Sequence, residues 1–431
     1  MKTTTHQLPG LVLIDHVFTV PLDHTQPDGA TIEIFAREAV SPRYANSPKA
    51  LPWLVFFQGG PGSAAPRPSS NSGWLKRALQ DYRVLLLDQR GTGRSTPVTA
   101  QTLAHLSAQE MADYLKHFRA DAIVRDAEHI RRALLGENEQ WSVLGQSYGG
   151  FIITHYLSVA SSALREAIIT GGLPSLTRHA DDVYRATYRR VIGKNQRYYQ
   201  RYPDDIARVH EIVHHLQQHE VRLPAGGLLS VRRFQQLGLM LGAGDGFEQL
   251  HYLLEQAFVA GRNGPELNHV FLREVENTQH FDTNPIFAIL HEAIYCQGTA
   301  SRWSAERIRA EYPEFEPQAG QPIYFTGEMI YPWQFDEYIG LRPLKEAAHI
   351  LADYDGWPML YAPEVLRQNN VPCAASVYYD DMYVERAFSE ETAQSINGLK
   401  IWVTNEYEHN GLRADGEVVL GRLLAMVRGQ E

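Results

Sequence analysis

Cysteine is nearly absent. Cys296 and Cys373 are the only 2 in 431 residues, too few for a disulfide framework or a four-thiolate metal site. Both stand among apolar neighbours, which predicts two buried, reduced thiols. No apolar run approaches the ~20 residues that span a bilayer. Met1–Gln7 lacks the apolar stretch of a secretory signal. A soluble, cytoplasmic protein that avoids membranes is therefore expected. Basic excess is missing too: 40 Lys and Arg stand against 50 Asp and Glu, a formal charge of −10. Nonspecific nucleic-acid binding needs Lys and Arg to displace counterions from phosphates, so no nucleic-acid partner is expected. Internal repeats are lacking, and the one low-complexity tract, Pro66–Gly73, reads as a loop.

What is present is ordinary globular material. A 44% hydrophobic and 10% aromatic content supports a large core, and at about 150 residues per domain the length allows two or three units. Leu11–Val20 and Thr31–Val40 read as an opening antiparallel pair around the turn Gln26-Pro27-Asp28-Gly29. Compact apolar runs follow at Trp53–Phe57, Arg83–Asp88, Trp141–Leu144 and Ala167–Thr170, the first two ending in glycine-rich turns. Runs apolar on both faces suit a parallel sheet covered by helices. Ala120–Leu135 supplies one helix, with Ile123, Ala127, Ile130 and Leu134 at three- and four-residue spacing. Such an α/β sheet binds its ligands at the carboxyl ends of the strands.

From about Leu176 to Val365 strand-like runs nearly vanish, and helical patterns rich in Tyr, His, Arg and Gln take over. The strand rhythm returns at Pro372–Tyr379 and Leu399–Val403, and Gly416–Val427 closes the chain as an amphipathic helix. The expected organisation is a sheet domain in two parts, 1–175 and 366–431, interrupted by a helical insertion, 176–365.

Gly145-Gln146-Ser147-Tyr148-Gly149 fits G-x-S-x-G between a strand and a helix, the context of a nucleophilic serine on a strained turn. A helix N-terminus there offers N–H groups to a developing oxyanion. A serine needs a base, and in this order of elements the acid follows the nucleophile and the histidine comes last. His409 is the single histidine after His349 and sits in the loop beyond Leu399–Val403. The preceding run ends in Asp380-Asp381, and alternation of side chains lets only one of the two face the imidazole. Gly59-Gly60-Pro61-Gly62, after the Trp53–Phe57 run, is placed to complete an oxyanion hole, with the Gly60 and Tyr148 amides as donors.

A second motif competes. His210-Glu211-Ile212-Val213-His214 matches the H-E-x-x-H of zinc peptidases. The extended pattern fails, because Gln217 and Glu220 stand where a glycine and a third histidine belong. The segment reads as the polar flank of an amphipathic helix. No metal and no cofactor are expected.

The Gly59–Gly62, Asp88–Ser95 and Gly145–Gly150 motifs together, in order and spacing, resemble the prolyl aminopeptidases (proline iminopeptidases), and Val20–His24 with the chain length resembles their longer branch. The likeness is clear over roughly Val12–Pro174 and Val371–Gly411. It implies an α/β-hydrolase fold with a helical cap and a serine exopeptidase that releases an N-terminal residue, preferably proline. By the same resemblance Ser147 is the nucleophile, His409 the base and Asp381, through its Asp381-Met382 pair, the orienting acid. Asp88 and Arg90 would brace the loop beneath the site. Selection of peptides with a free N-terminus implies cap carboxylates facing a cation, with Glu292 and Glu328 the expected sources and Tyr295, Trp333 and Phe335 an apolar wall. The alternative is an esterase or amidase of this fold acting on small non-peptide substrates. Oligomeric state is not legible in the sequence.

Overall fold

The computed structural model describes residues 2–47, 49–262, 264–318 and 320–430. Its strands are β1 (Lys2–Leu8), β2 (Leu11–Pro21), β3 (Thr31–Val40), β4 (Trp53–Phe57), β5 (Arg83–Leu87), β6 (Trp141–Gln146), β7 (Leu164–Thr170), β8 (Phe258–Gly261), β9 (Gly264–Leu267), β10 (Cys373–Tyr378) and β11 (Leu399–Thr404). Nine form one sheet in the order β1-β2-β3-β5-β4-β6-β7-β10-β11. The β1–β2, β2–β3 and β3–β5 pairs are antiparallel. From β5 to β11 every pair is parallel. This is an α/β-hydrolase fold.

The expected β2–β3 hairpin forms, and Gly29 N–H donates to the Gln26 carbonyl at 2.9 Å in its turn. β1 is an addition: its Thr3-Thr4-Thr5 run has the β-branched character of a strand, but no apolar alternation marks it. β4 and β5 are buried along their whole length, as strands covered on both faces must be.

Each face of the sheet carries helices whose apolar stripes explain their seats. Tyr148–Val159 is buried from Tyr148 to Ser158 and packs with Ala120–Leu135 on one side. Gly416–Val427 covers the other, through Val419, Leu420, Leu423 and Leu424. Each such aliphatic side chain contributes roughly 1.5–3 kcal/mol of burial.

The chain leaves the sheet after Thr170 and re-enters it at Cys373. Between them lie α- and 3-10 helices and the β8–β9 hairpin, a separate two-stranded sheet. The longest helix of this region, Ala180–Arg201, starts with Asp181 and Asp182 and ends with Arg201, charges that oppose its dipole. Its Val191, Tyr198 and Tyr199 belong to a hydrophobic cluster spread over the whole region. Among the described residues no helix is long and apolar enough to cross a membrane. Cys296 and Cys373 are buried and unpaired, and burial pushes both thiols up to about 12.

Candidate active site

β6 delivers Ser147 to a sharp turn. Its φ is +55°, and the helix begins at Tyr148. A non-glycine residue in such a conformation costs about 1–3 kcal/mol and persists only where its surroundings enforce it. Here Ser147 N–H donates to the Thr170 carbonyl at 2.9 Å, and Gly150 N–H donates to the Ser147 carbonyl at 2.7 Å. The flanking glycines are steric necessities. A Cβ on Gly149 would lie 2.0 Å from the Phe57 oxygen, one on Gly145 2.4 Å from the Gly149 carbonyl, and one on Gly172 2.1 Å from the Ser147 oxygen.

β10 and β11 bring the other two groups together. His409 Nδ1 lies 2.7 Å from Asp381 Oδ2. The remaining Asp381 oxygen accepts the backbone N–H groups of Tyr383 and Val384 at 2.8 and 3.1 Å. Asp380 points away, to Arg197 Nη1 at 2.8 Å. Burial alone would lower the imidazole's pKa. The charge and hydrogen bond of Asp381, with the charges of Glu328 and Glu408, instead carry it above the ordinary histidine value.

Ser147 and His409 open onto one cavity of about 530 Å³. Gly59 and Gly60 line it from the end of β4, the strand next to β6. A Cβ on Gly59 would lie 2.9 Å from that of Ser147, so the glycine backbone runs against the serine. Gly62, at φ +87°, meets the insertion: a Cβ there would be 2.3 Å from Asn284 Oδ1. Tyr148 turns its ring into the core beside Phe151, leaving its amide at the helix start next to Ser147.

The insertion contributes Leu239, Phe281, Asn284, Phe287 and Glu328 to the cavity wall, and Tyr383 adds a ring from the loop after β10. The structure separates the two cap glutamates. Glu328 lines the cavity and faces His291 Nε2 at 3.5 Å. Glu292 is not among the lining residues. Its carboxylate accepts Ser304 and Ala305 N–H at 3.1 and 2.8 Å, capping a short helix. Burial raises its pKa, and those hydrogen bonds resist the rise. The expected apolar wall is corrected as well. Trp333 and Phe335 pack within the insertion, Tyr295 packs between it and Phe151 of the sheet domain, and none of the three is in the cavity lining. Phe281 and Phe287 take that place, and no sequence motif singled them out.

Asp88 accepts Ala65 N–H at 3.0 Å, Arg94 N–H at 2.9 Å and the Arg67 guanidinium. Arg90 is buried against Asp126 at 2.6 Å and the Leu22 and His117 carbonyls. Both therefore brace loops and stay off the cavity wall. In the H-E-x-x-H helix, His210 Nε2 lies 2.8 Å from the Gln321 carbonyl. Among the described residues no three His, Cys, Asp or Glu side chains cluster as metal ligands.

A serine on a strand-to-helix turn at the carboxyl end of a mostly parallel sheet defines an α/β hydrolase, and the family model for the alpha/beta hydrolase fold matches residues 52–265. The chain is 53% identical over 422 residues, 98% of both chains, to the proline iminopeptidase of Aeromonas sobria. It is 36% identical over 416 residues to a proline iminopeptidase of Aspergillus aculeatus, covering 95% of this chain and 92% of that one. It belongs to the proline iminopeptidase family. A solved proline iminopeptidase from Mycobacterium smegmatis has a TM-score of 0.44 at 14% identity, over 96% of this chain and 100% of that one.

Proposed function

We propose that the chain is a serine aminopeptidase that releases an N-terminal residue, preferably proline, from peptides. One observation carries this reading beyond fold and family: the cavity that exposes Ser147 and the Asp381-held His409 also exposes Glu328. A carboxylate inside a partly apolar cavity suits the ammonium or iminium of a free N-terminus, since an unpaired buried charge is costly. The relatives' name, proline iminopeptidase, fits a cavity that also carries the apolar side chains of Phe281, Phe287 and Leu239.

Asp381 bonded to Nδ1 leaves Nε2 of His409 to take the Ser147 proton. Ser147 Oγ attacks the scissile carbonyl, and the oxyanion rests on the Gly60 and Tyr148 amides. His409 then gives its proton to the leaving amine, the C–N bond breaks, and an acyl-enzyme remains. Water, deprotonated by His409, hydrolyses it by the same route. Residues 176–365 act as the cap that selects substrate, on a hydrolase core built from 1–175 and 366–431. Two unpaired thiols accord with action in the cytoplasm.

An esterase or amidase on small neutral substrates would use the same serine and histidine but offer Glu328 no substrate cation, leaving it only His291. Rates on Pro-, Ala- and N-blocked anilides beside simple esters decide between them. Free-amine prolyl anilide should be fastest; N-blocked substrates cleaved equally well would overturn the exopeptidase reading.

A further inference from the structure

Three cations on one face of the Ala180–Arg201 helix reach across to the loops that carry Asp381 and His409. Arg190, Lys194 and Arg197 are spaced i, i+4, i+7 and therefore share a face. Arg190 forks onto Glu385 with two bonds of 2.7 Å. Lys194 Nζ lies 2.5 Å from Glu408 Oε2, and Arg197 lies 2.8 Å from Asp380. Their partners flank the catalytic groups in sequence: Asp380 and Glu385 bracket Asp381, and Glu408 precedes His409. An adjacent stripe of the same helix, Val191, Asn195 and Tyr198, faces the insertion's interior, with Asn195 bonded to both the N–H and the carbonyl of Phe325.

We infer that the Ala180–Arg201 helix is an electrostatic clamp that positions the Asp381–His409 pair, with Lys194 its central residue. The inference rests on the catalytic reading above. Lys194 is 1% exposed and its partner Glu408 26%, so this pair is screened less than the Arg197 pair, which is well exposed on both sides. Burial pushes the Lys194 amine below its ordinary value and Glu408 works against that; burial raises the Glu408 carboxyl against the pull of Lys194. A lone charge left at this place would be costly, so the two loops hold their spacing to the helix. The same segments are tied by neutral contacts: Tyr383 donates its hydroxyl to the Leu239 carbonyl, Gly244 N–H donates to Asn410 Oδ1 at 3.1 Å, and Met382 belongs to the insertion's hydrophobic cluster.

The clamp makes these residues positioning groups, and it predicts a loss in kcat rather than KM. Lys194→Met should lower kcat on prolyl anilide by about ten- to a hundred-fold, with KM little changed, through misplacement of the imidazole. Lys194→Arg should restore most of it. The double variant Lys194→Met/Glu408→Gln should fall no further than Lys194→Met alone. His409 is faced by Asp381, Glu408, Glu328 and the Tyr383 ring, with His280 and Arg413 further along the cavity. Glu408 itself is faced by Lys194, Arg197 and Asp381. Removing the Glu408 charge should therefore move the acid limb of kcat/KM to lower pH.

Arg190→Gln, at a half-buried pair, serves if Lys194→Met does not fold, with an expected kcat loss of about two- to ten-fold at unchanged KM. Wild-type kcat in both Lys194→Met and Arg190→Gln, a loss confined to KM, or additive losses in the double variant would overturn the clamp. Retained turnover in Ser147→Ala would instead overturn the catalytic reading, which separates the two failures.

Discussion

Asp381 holds His409 by one carboxylate oxygen, at 2.7 Å, while its other oxygen is occupied by the amides of Tyr383 and Val384. The carboxylate is thereby fixed at both ends, and the imidazole takes its orientation from it. Asp380, the next residue back, is turned toward Arg197 and is far more exposed.

Exchange of the two aspartates separates them functionally. Asp381→Asn should lower kcat by about 10⁴-fold, because an amide no longer holds the imidazole in its working tautomer. Asp380→Asn should stay within about ten-fold of wild type, since it loosens only an exposed ion pair. Steady-state kinetics on prolyl anilide read the difference, and a larger loss in Asp380→Asn than in Asp381→Asn would make Asp380 the acid.

Ser147→Ala should cost on the order of 10⁶-fold in kcat while leaving the denaturation midpoint close to wild type. Gly149→Ala should do the opposite of a site mutation. Its Cβ would lie 2.0 Å from the Phe57 carbonyl oxygen, so stability should fall by about 3 kcal/mol or more. Denaturant titration of both variants checks the pair of outcomes.

The two cap glutamates should part company. Glu328→Gln should raise KM for free-amine substrates. It also removes a negative charge that favours the imidazolium, so the acid limb of kcat/KM should move to lower pH. Glu292→Ala should spare the pH profile but cost about 1–3 kcal/mol of stability, by leaving two buried N–H groups of the Ser304–Arg309 helix unpaired. A KM effect as large in Glu292→Ala would reopen its role in substrate binding.

For wild-type enzyme, the acid limb of kcat/KM should lie above the ordinary histidine value, because the base must be neutral and its pKa is raised. Activity should be lost as pH falls through that raised value, where His409 takes up its proton. A pH–rate profile with a limb well under the free-histidine value would contradict this. Chelator treatment should leave the rate unchanged.

Much of this molecule was legible in the chain. β4, the helices Ala120–Leu135 and Gly416–Val427, and the β2–β3 hairpin lie where periodicity places them, because continuous apolar runs and three-to-four spacing report local geometry directly. β1 escaped because its pairing with β2, not its own pattern, makes it a strand. Phe281 and Phe287 escaped because an aromatic side chain facing a cavity has the same local signature as one facing a core.

Ser147 and His409 were marked by the sequence alone: one by a glycine pattern that only a strained turn requires, the other by being the single histidine beyond the last strand. Side-chain chemistry alone did not choose between Asp380 and Asp381, where only the family resemblance favoured Asp381, and it put Glu292 and Glu328 forward together. Only the tertiary structure separated them. Asp380 is drawn to Arg197 on a helix far away in the chain, and Glu292 to the start of the next short helix, at Ser304 and Ala305. A carboxylate's direction is set by the donors nearest in space, and those come from elements that local sequence does not bring together.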